Sequence, residues 1–146
     1  MTRTELIAEV QQFFTLKELV CRHTYERYPT TAWRFLDYDA LYTLLVLRRD
    51  VLQVPLICNS GEHTQRGLRC NMCPIVREKT RPYLSGHIMG KAFDLVSPAM
   101  TAARMRSLIA LHYDLIPVPI RIEAGVDWLH FDTLSDGRDK VVLFDA

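Results

Sequence analysis

Three side chains of metal-ligand type stand out in the second half of the chain: His87, then Asp94, then His130 inside the segment WLHFDT. His87 and Asp94 flank a turn at Gly90, so both can point into one cleft, and His130 can face them from the middle of a strand laid alongside. Two neutral imidazoles and one carboxylate leave a divalent zinc with net positive charge and one open position. That is the ligand count of a catalytic site, since structural zinc usually takes four protein ligands, often thiolates. The chemistry expected is hydrolytic, with water acidified towards neutral pH. Taken alone the pattern is weak, because two histidines and an aspartate fall together by chance in many domains. Asp132 shares the strand face of His130 and reads equally well as an orienting partner or a solvated strand end.

Such a site needs elements to position it. Thr2 with Glu5, and Thr15 with Glu18, have capping-box spacing, so two short helices are predicted to start there. From Asp39 to Leu52 apolar residues recur at helical spacing and predict a helix with one buried face. VPLIC, Val54 to Cys58, reads as a short buried strand. Glu62 to Pro82 shows no sustained period and is expected to be a long ordered loop, a kind of segment that often carries function. After Gly90 a strand is expected with Ala92, Asp94 and Val96 on one side and Phe93 and Leu95 on the other. Thr101 can cap a helix running to Ile116, stopped by Pro117 and Pro119. IRIE (120–123), WLHFDT (128–133) and VVLFD (141–145) then read as an antiparallel meander. Helices first and strands later make an α+β domain spanning residues 1–146, its N-terminal helices packed on a small, mainly antiparallel sheet that carries the metal site.

The ligand pattern coincides with SxHxxGxAxD, as Ser85, His87, Gly90, Ala92 and Asp94, and with a downstream DWLHFD, Asp127 to Asp132. In that order the two motifs resemble the zinc D-alanyl-D-alanine carboxypeptidases and related phage endolysin peptidases, whose fold is shared with Hedgehog signalling domains. FTLKELVC and the helix before VPLICNSG also look like the start of that domain. The resemblance implies that His87, Asp94 and His130 are zinc ligands. It implies that the acidic residue three before the last histidine, Asp127, is the general base, with Glu123 the rival. A carboxylate near the water must take its proton and pass it to the leaving amine. The family carries a substrate-holding arginine in an S-G-aromatic-R segment. This chain departs from it: Asn59-Ser60-Gly61 is followed by EHTQ and then by Arg66-Gly67-Leu68-Arg69. Arg69 is the first choice and Arg66 the second for gripping a peptide carboxylate or an oxyanion. Ser85 and Trp128 are candidates for the substrate cleft, although packing against the sheet core is the safer reading of Trp128. The implied substrate is the stem peptide of bacterial peptidoglycan, cut by carboxypeptidase or endopeptidase action. The alternative is a zinc-binding recognition module without activity on the same fold.

The composition supports no broader partner. Lys and Arg number 18 against 17 Asp and Glu, a net charge of +1 that gives no field to attract nucleic acid, and the basic loop from Arg66 to Arg81 holds Glu78 and few aromatic platforms. No apolar run is long enough for a membrane span, and Glu5 and Glu9 interrupt any signal-peptide core. The expectation is a monomer made in the cytoplasm, reaching the wall through lysis or a phage-encoded route. The four cysteines, Cys21, Cys58, Cys70 and Cys73, then read as reduced thiols. Cys70-x2-Cys73 is half of a structural zinc site whose second half is missing unless Cys21 and His23 supply it, and buried or loop thiols are preferred. A chain of this length can bury its own core, so any metal is expected to serve chemistry rather than folding.

Overall fold

The computed structural model describes residues 1–145. Thr2 Oγ1 accepts from Glu5 N at 3.1 Å while the Glu5 carboxylate accepts from Thr2 N at 2.7 Å, and this box opens α1 (Arg3–Val10). At α2 (Leu16–Leu19) the Glu18 carboxylate accepts from Thr15 N at 3.0 Å. α3 (Arg22–Arg27) and a 3₁₀ turn at Thr31–Phe35 lead to α4 (Tyr38–Val46), where the Asp37 carboxylate accepts from Ala40 N. The helix continues as a wider π-helical turn, Leu47–Leu52, and ends at Gln53, whose φ of 55° is left-handed. The expected helix therefore forms, and it buries Ala40, Leu41, Leu44 and Leu45.

The expected strand at Val54–Cys58 does not form. Only Ile57 pairs, in a single antiparallel bridge to Val96. Pro55 has no N–H to offer a ladder. The following loop contains one short helix, α5 (Pro74–Arg77), with no buried residue. α6 (Ala102–Leu111) is capped by Thr101 and passes into a 3₁₀ turn, Tyr113–Leu115, so the helix ends sooner than expected.

Four strands form one sheet in the order β1-β3-β2-β4: β1 (Ala92–Leu95), β2 (Ile120–Glu123), β3 (Leu129–Asp132) and β4 (Val141–Phe144). β3 pairs antiparallel with both β1 and β2, whereas β4 runs parallel to β2. The meander is thus corrected to a mixed sheet. Both edges of β3 are already occupied, so the chain crosses to the free side of β2. One face of the sheet is core: Phe93, Leu95, Ile120, Ile122, Leu129 and Phe131 are fully buried with the helices. The far edge of β1 is covered by the loop, through Asp94 N to Arg66 O at 2.7 Å and the Ile57–Val96 pair. The architecture is α+β, and among the described residues no helix is long and apolar enough to cross a membrane.

Candidate functional site

The second face of the sheet is polar, and strand alternation decides its membership. Asp94 stands directly opposite His130 in the β1–β3 register, with Phe93 opposite Phe131 on the core side. Arg121 stands opposite Asp132 in the β2–β3 register. Asp94, His130, Asp132, Arg121 and Glu123 therefore share one face, as the period of two requires. His130 Nδ1 lies 2.8 Å from Asp94 Oδ1, and its Nε2 lies 2.9 Å from Asp132 Oδ2. Arg121 in turn donates to both Asp132 oxygens, at 2.9 and 3.0 Å, and stacks over Phe144.

His87 arrives from the turn before β1. Its Nδ1 is 2.9 Å from the Gly67 carbonyl, which leaves Nε2 facing Asp94 Oδ2 at 3.3 Å. The turn lies flat on the sheet because Gly86 sits there: an added Cβ would fall 2.9 Å from the Ala92 methyl. Gly67 is required more strictly, since a Cβ there would fall 2.1 Å from the Leu19 carbonyl oxygen. The ligand atoms of His87, Asp94 and His130 lie within 4.8 Å of one another.

The electrostatics suit a cation at this point. Burial would raise the Asp94 carboxyl, but the hydrogen bonds with His130 and His87 outweigh it and hold it well below the usual carboxylate range. Burial would lower His130, yet the bonds to Asp132 and Asp94 push it up to about 9. Asp132 is driven down to about 2, burial being outweighed by His130, Arg121 and the Leu134 N–H. Without metal, the site holds a proton on His130 between two carboxylates. His130 Nδ1, His87 Nε2 and Asp94 would hold a divalent ion in the same negative field, with Asp132 fixing the His130 tautomer and the Gly67 carbonyl fixing that of His87. The donor set fits zinc.

The remaining sequence candidates divide. Arg69 lines the cleft, with Nη2 3.6 Å from Asp94 Oδ2, Nε donating to the Gln65 carbonyl and Nη1 near Tyr83 Oη. Arg66 does not line it: its guanidinium donates to the Cys58 carbonyl, and its own carbonyl accepts from Asp94 N. Asp127 is not brought to the cluster. It is exposed and lines a separate hollow with Ser97, Met100 and Arg106. Asp127 lies in the bends before β3, and Ala102, Met105 and Arg106 of α6 line its hollow. Glu123 has the parity of Arg121, and its Oε2 lies 4.0 Å from His130 Nδ1. Ser85 lines the cleft and its hydroxyl accepts from Ile88 N, supporting the His87 turn. Trp128 also lines the cleft and is exposed, so its packing into the core is corrected. Asp132 is buried and bonded, not a solvated strand end. The sequence reading gave no role to Arg121, Tyr83 or Phe144. For Arg121 a signal existed, because IRIE alternates and places it on the Glu123 face.

The cleft measures about 290 Å³. Larger surface hollows of about 720, 650 and 360 Å³ hold none of His87, Asp94 and His130, and one of about 370 Å³ runs beside Arg69 and Cys70. A second ligand group does exist elsewhere: Cys21, His23, Cys70 and Cys73 also bring their ligand atoms within 4.8 Å of one another. Comparison with known proteins finds no family model, no curated protein and no solved structure that matches this chain.

Proposed function

We propose that the chain is a zinc-dependent peptidase, folded as one domain of the Hedgehog/D-Ala-D-Ala peptidase type and acting on peptide bonds of bacterial peptidoglycan. The observation that carries the enzyme reading is the convergence of His87, Asp94 and His130 beside a further carboxylate, Glu123, in an open cleft. His87 Nε2, His130 Nδ1 and an Asp94 oxygen would hold the ion. Bound zinc would supply Lewis acidity and lower the pKa of water to the neutral range. Glu123 Oε2 takes the proton of the attacking water and returns it to the departing amine. Arg69, cationic and nearly buried, places the peptide carboxylate or steadies charge on the scissile carbonyl oxygen. Trp128 and Tyr83 wall the cleft for the peptide. The substrate class rests on the motif resemblance, which the SxHxxGxAxD and DWLHFD segments carry.

Purified peptidoglycan incubated with the full chain, with and without a chelator, tests the reading. Chelator-sensitive release of free amine, restored by zinc, is expected. Stoichiometric zinc with no amine released would favour a recognition module instead.

A further inference from the structure

We propose that Cys21, His23, Cys70 and Cys73 form a second, closed zinc site that staples the N-terminal segment to the loop bearing Arg69. His23 Nδ1 lies 3.8 Å from Cys70 Sγ and 4.0 Å from Cys73 Sγ. Tetrahedral zinc, with bonds of about 2.3 Å to sulfur and 2.0–2.1 Å to nitrogen, spaces its ligand atoms roughly 3.5–3.8 Å apart, so these two separations need to close by only a few tenths of an ångström. All four ligand atoms lie within 4.8 Å of one another, so no gap needs to close by more than about 1 Å. Three sulfurs and one imidazole are a structural donor set, distinct in kind from the open His87, Asp94 and His130 group.

The backbone holds these ligands in place independently. Val20 and Leu68 form a parallel bridge, with Cys21 N donating to Leu68 O at 2.8 Å and Leu68 N to Leu19 O at 2.9 Å. Cys73 N donates to Cys70 O at 3.1 Å in a tight turn, and Met72 N donates to Cys70 Sγ at 3.4 Å. Cys21 and Cys73 are buried, while Cys70 and His23 are half-buried and leave an entry path. All the cysteines are free, so no disulfide competes.

Leu68 ties the loop to the core, but α5 buries no residue, and a metal would hold that stretch to the N-terminal segment. The core of the domain does not depend on it. On this proposal a second metal would serve structure rather than chemistry.

Cobalt(II) and zinc binding to the full chain test the proposal. Wild type is expected to bind two equivalents, with intense sulfur-to-cobalt charge transfer in the near ultraviolet. The double variant His87→Ala/His130→Ala should keep one equivalent and the band. Cys70→Ser/Cys73→Ser should lose both that equivalent and the band, while Cys58→Ser changes neither. A wild-type cobalt spectrum without the band overturns the proposal, as does a band that survives in Cys70→Ser/Cys73→Ser. Should the cysteine variant fail to fold, wild type decides: zinc should protect Cys70 from a thiol reagent until a chelator is added, and equal reactivity before and after overturns it. None of these readouts depends on peptidase activity.

Discussion

Replacing Glu123 with Gln preserves the shape of the cleft wall and removes the ability to take a proton. Among the described residues the Glu123 carboxylate pairs with His130 alone, at 4.0 Å. The three ligand side chains are untouched by the change, so zinc content should stay at the wild-type level. A positioned general base contributes roughly 10²–10⁴-fold. At 1.36 kcal/mol per factor of ten, the barrier should rise by about 2.7–5.4 kcal/mol. The fall should appear in kcat, with KM little changed, when free amine released from purified peptidoglycan is followed over time. Asp127→Asn serves as the contrast. Asp127 lies in another hollow, beside Ser97 and Arg106, so its loss should leave the rate within about twofold, as expected of a surface change away from the site. Full activity in Glu123→Gln together with an inactive Asp127→Asn would refute the assignment from strand parity and restore the motif-based one.

Asp132→Ala should weaken zinc binding at the His87 site about 10–100-fold in a chelator competition, because it removes the partner of His130 Nε2 and frees Arg121. An unchanged affinity would show that Asp132 does not orient the ligand. Gly67→Ala should lower the denaturant midpoint by the equivalent of about 1–3 kcal/mol or more, since its Cβ would fall 2.1 Å from a backbone oxygen that cannot swing aside. A wild-type midpoint would contradict that packing. In chelator, the metal-free chain should be most stable at mildly acidic pH. His130 is raised in the fold to about 9, so its contribution is complete below its unfolded value of about 6.5 and is lost as pH rises through about 9. Asp94 and Asp132 are lowered, so theirs is complete above about 4 and is lost on acidification through their folded values. A midpoint flat from about pH 6 to 9.5 would refute the buried His130 cation.

What was legible in the sequence was whatever obeys a local period or a local bond. The Thr2 and Thr15 caps, the buried face of α4 and the alternation of β1 follow from spacing alone. Asp94 and His130 could be foreseen on one face because each sits mid-strand with aromatic neighbours pointing the other way. What was not legible was which strands pair. The parallel placement of β4 depends on β3 having both edges filled, a fact of the assembled sheet that no turn residue announces. Asp127 is a related case. Motif spacing says how far it lies from His130 along the chain, whereas its facing is set by the bends of residues 125–128 that precede β3. The cysteines were the reverse case. Cys70 and Cys73 advertise half a site, but their partners lie far back in the chain, and only the Val20–Leu68 bridge brings Cys21 and His23 beside them.

That bridge also bears on the cluster of His87, Asp94 and His130. Asp94 and His130 are held by sheet register, but His87 is not. Its Nδ1 depends on the Gly67 carbonyl, and its own carbonyl accepts from Arg69 N at 3.1 Å. The stretch from Gly67 to Cys73 therefore sets His87 and Arg69 together. Its anchor is the backbone of Leu19 and Cys21, which the Cys/His site would lock. Loosening that anchor should move His87 and Arg69 as a unit while Phe93 and Phe131 keep the sheet core intact. Losses in zinc affinity and in substrate binding should then rise together, with the helical and strand content of the domain unchanged. A change in one without the other would mean that the loop does not move as one piece.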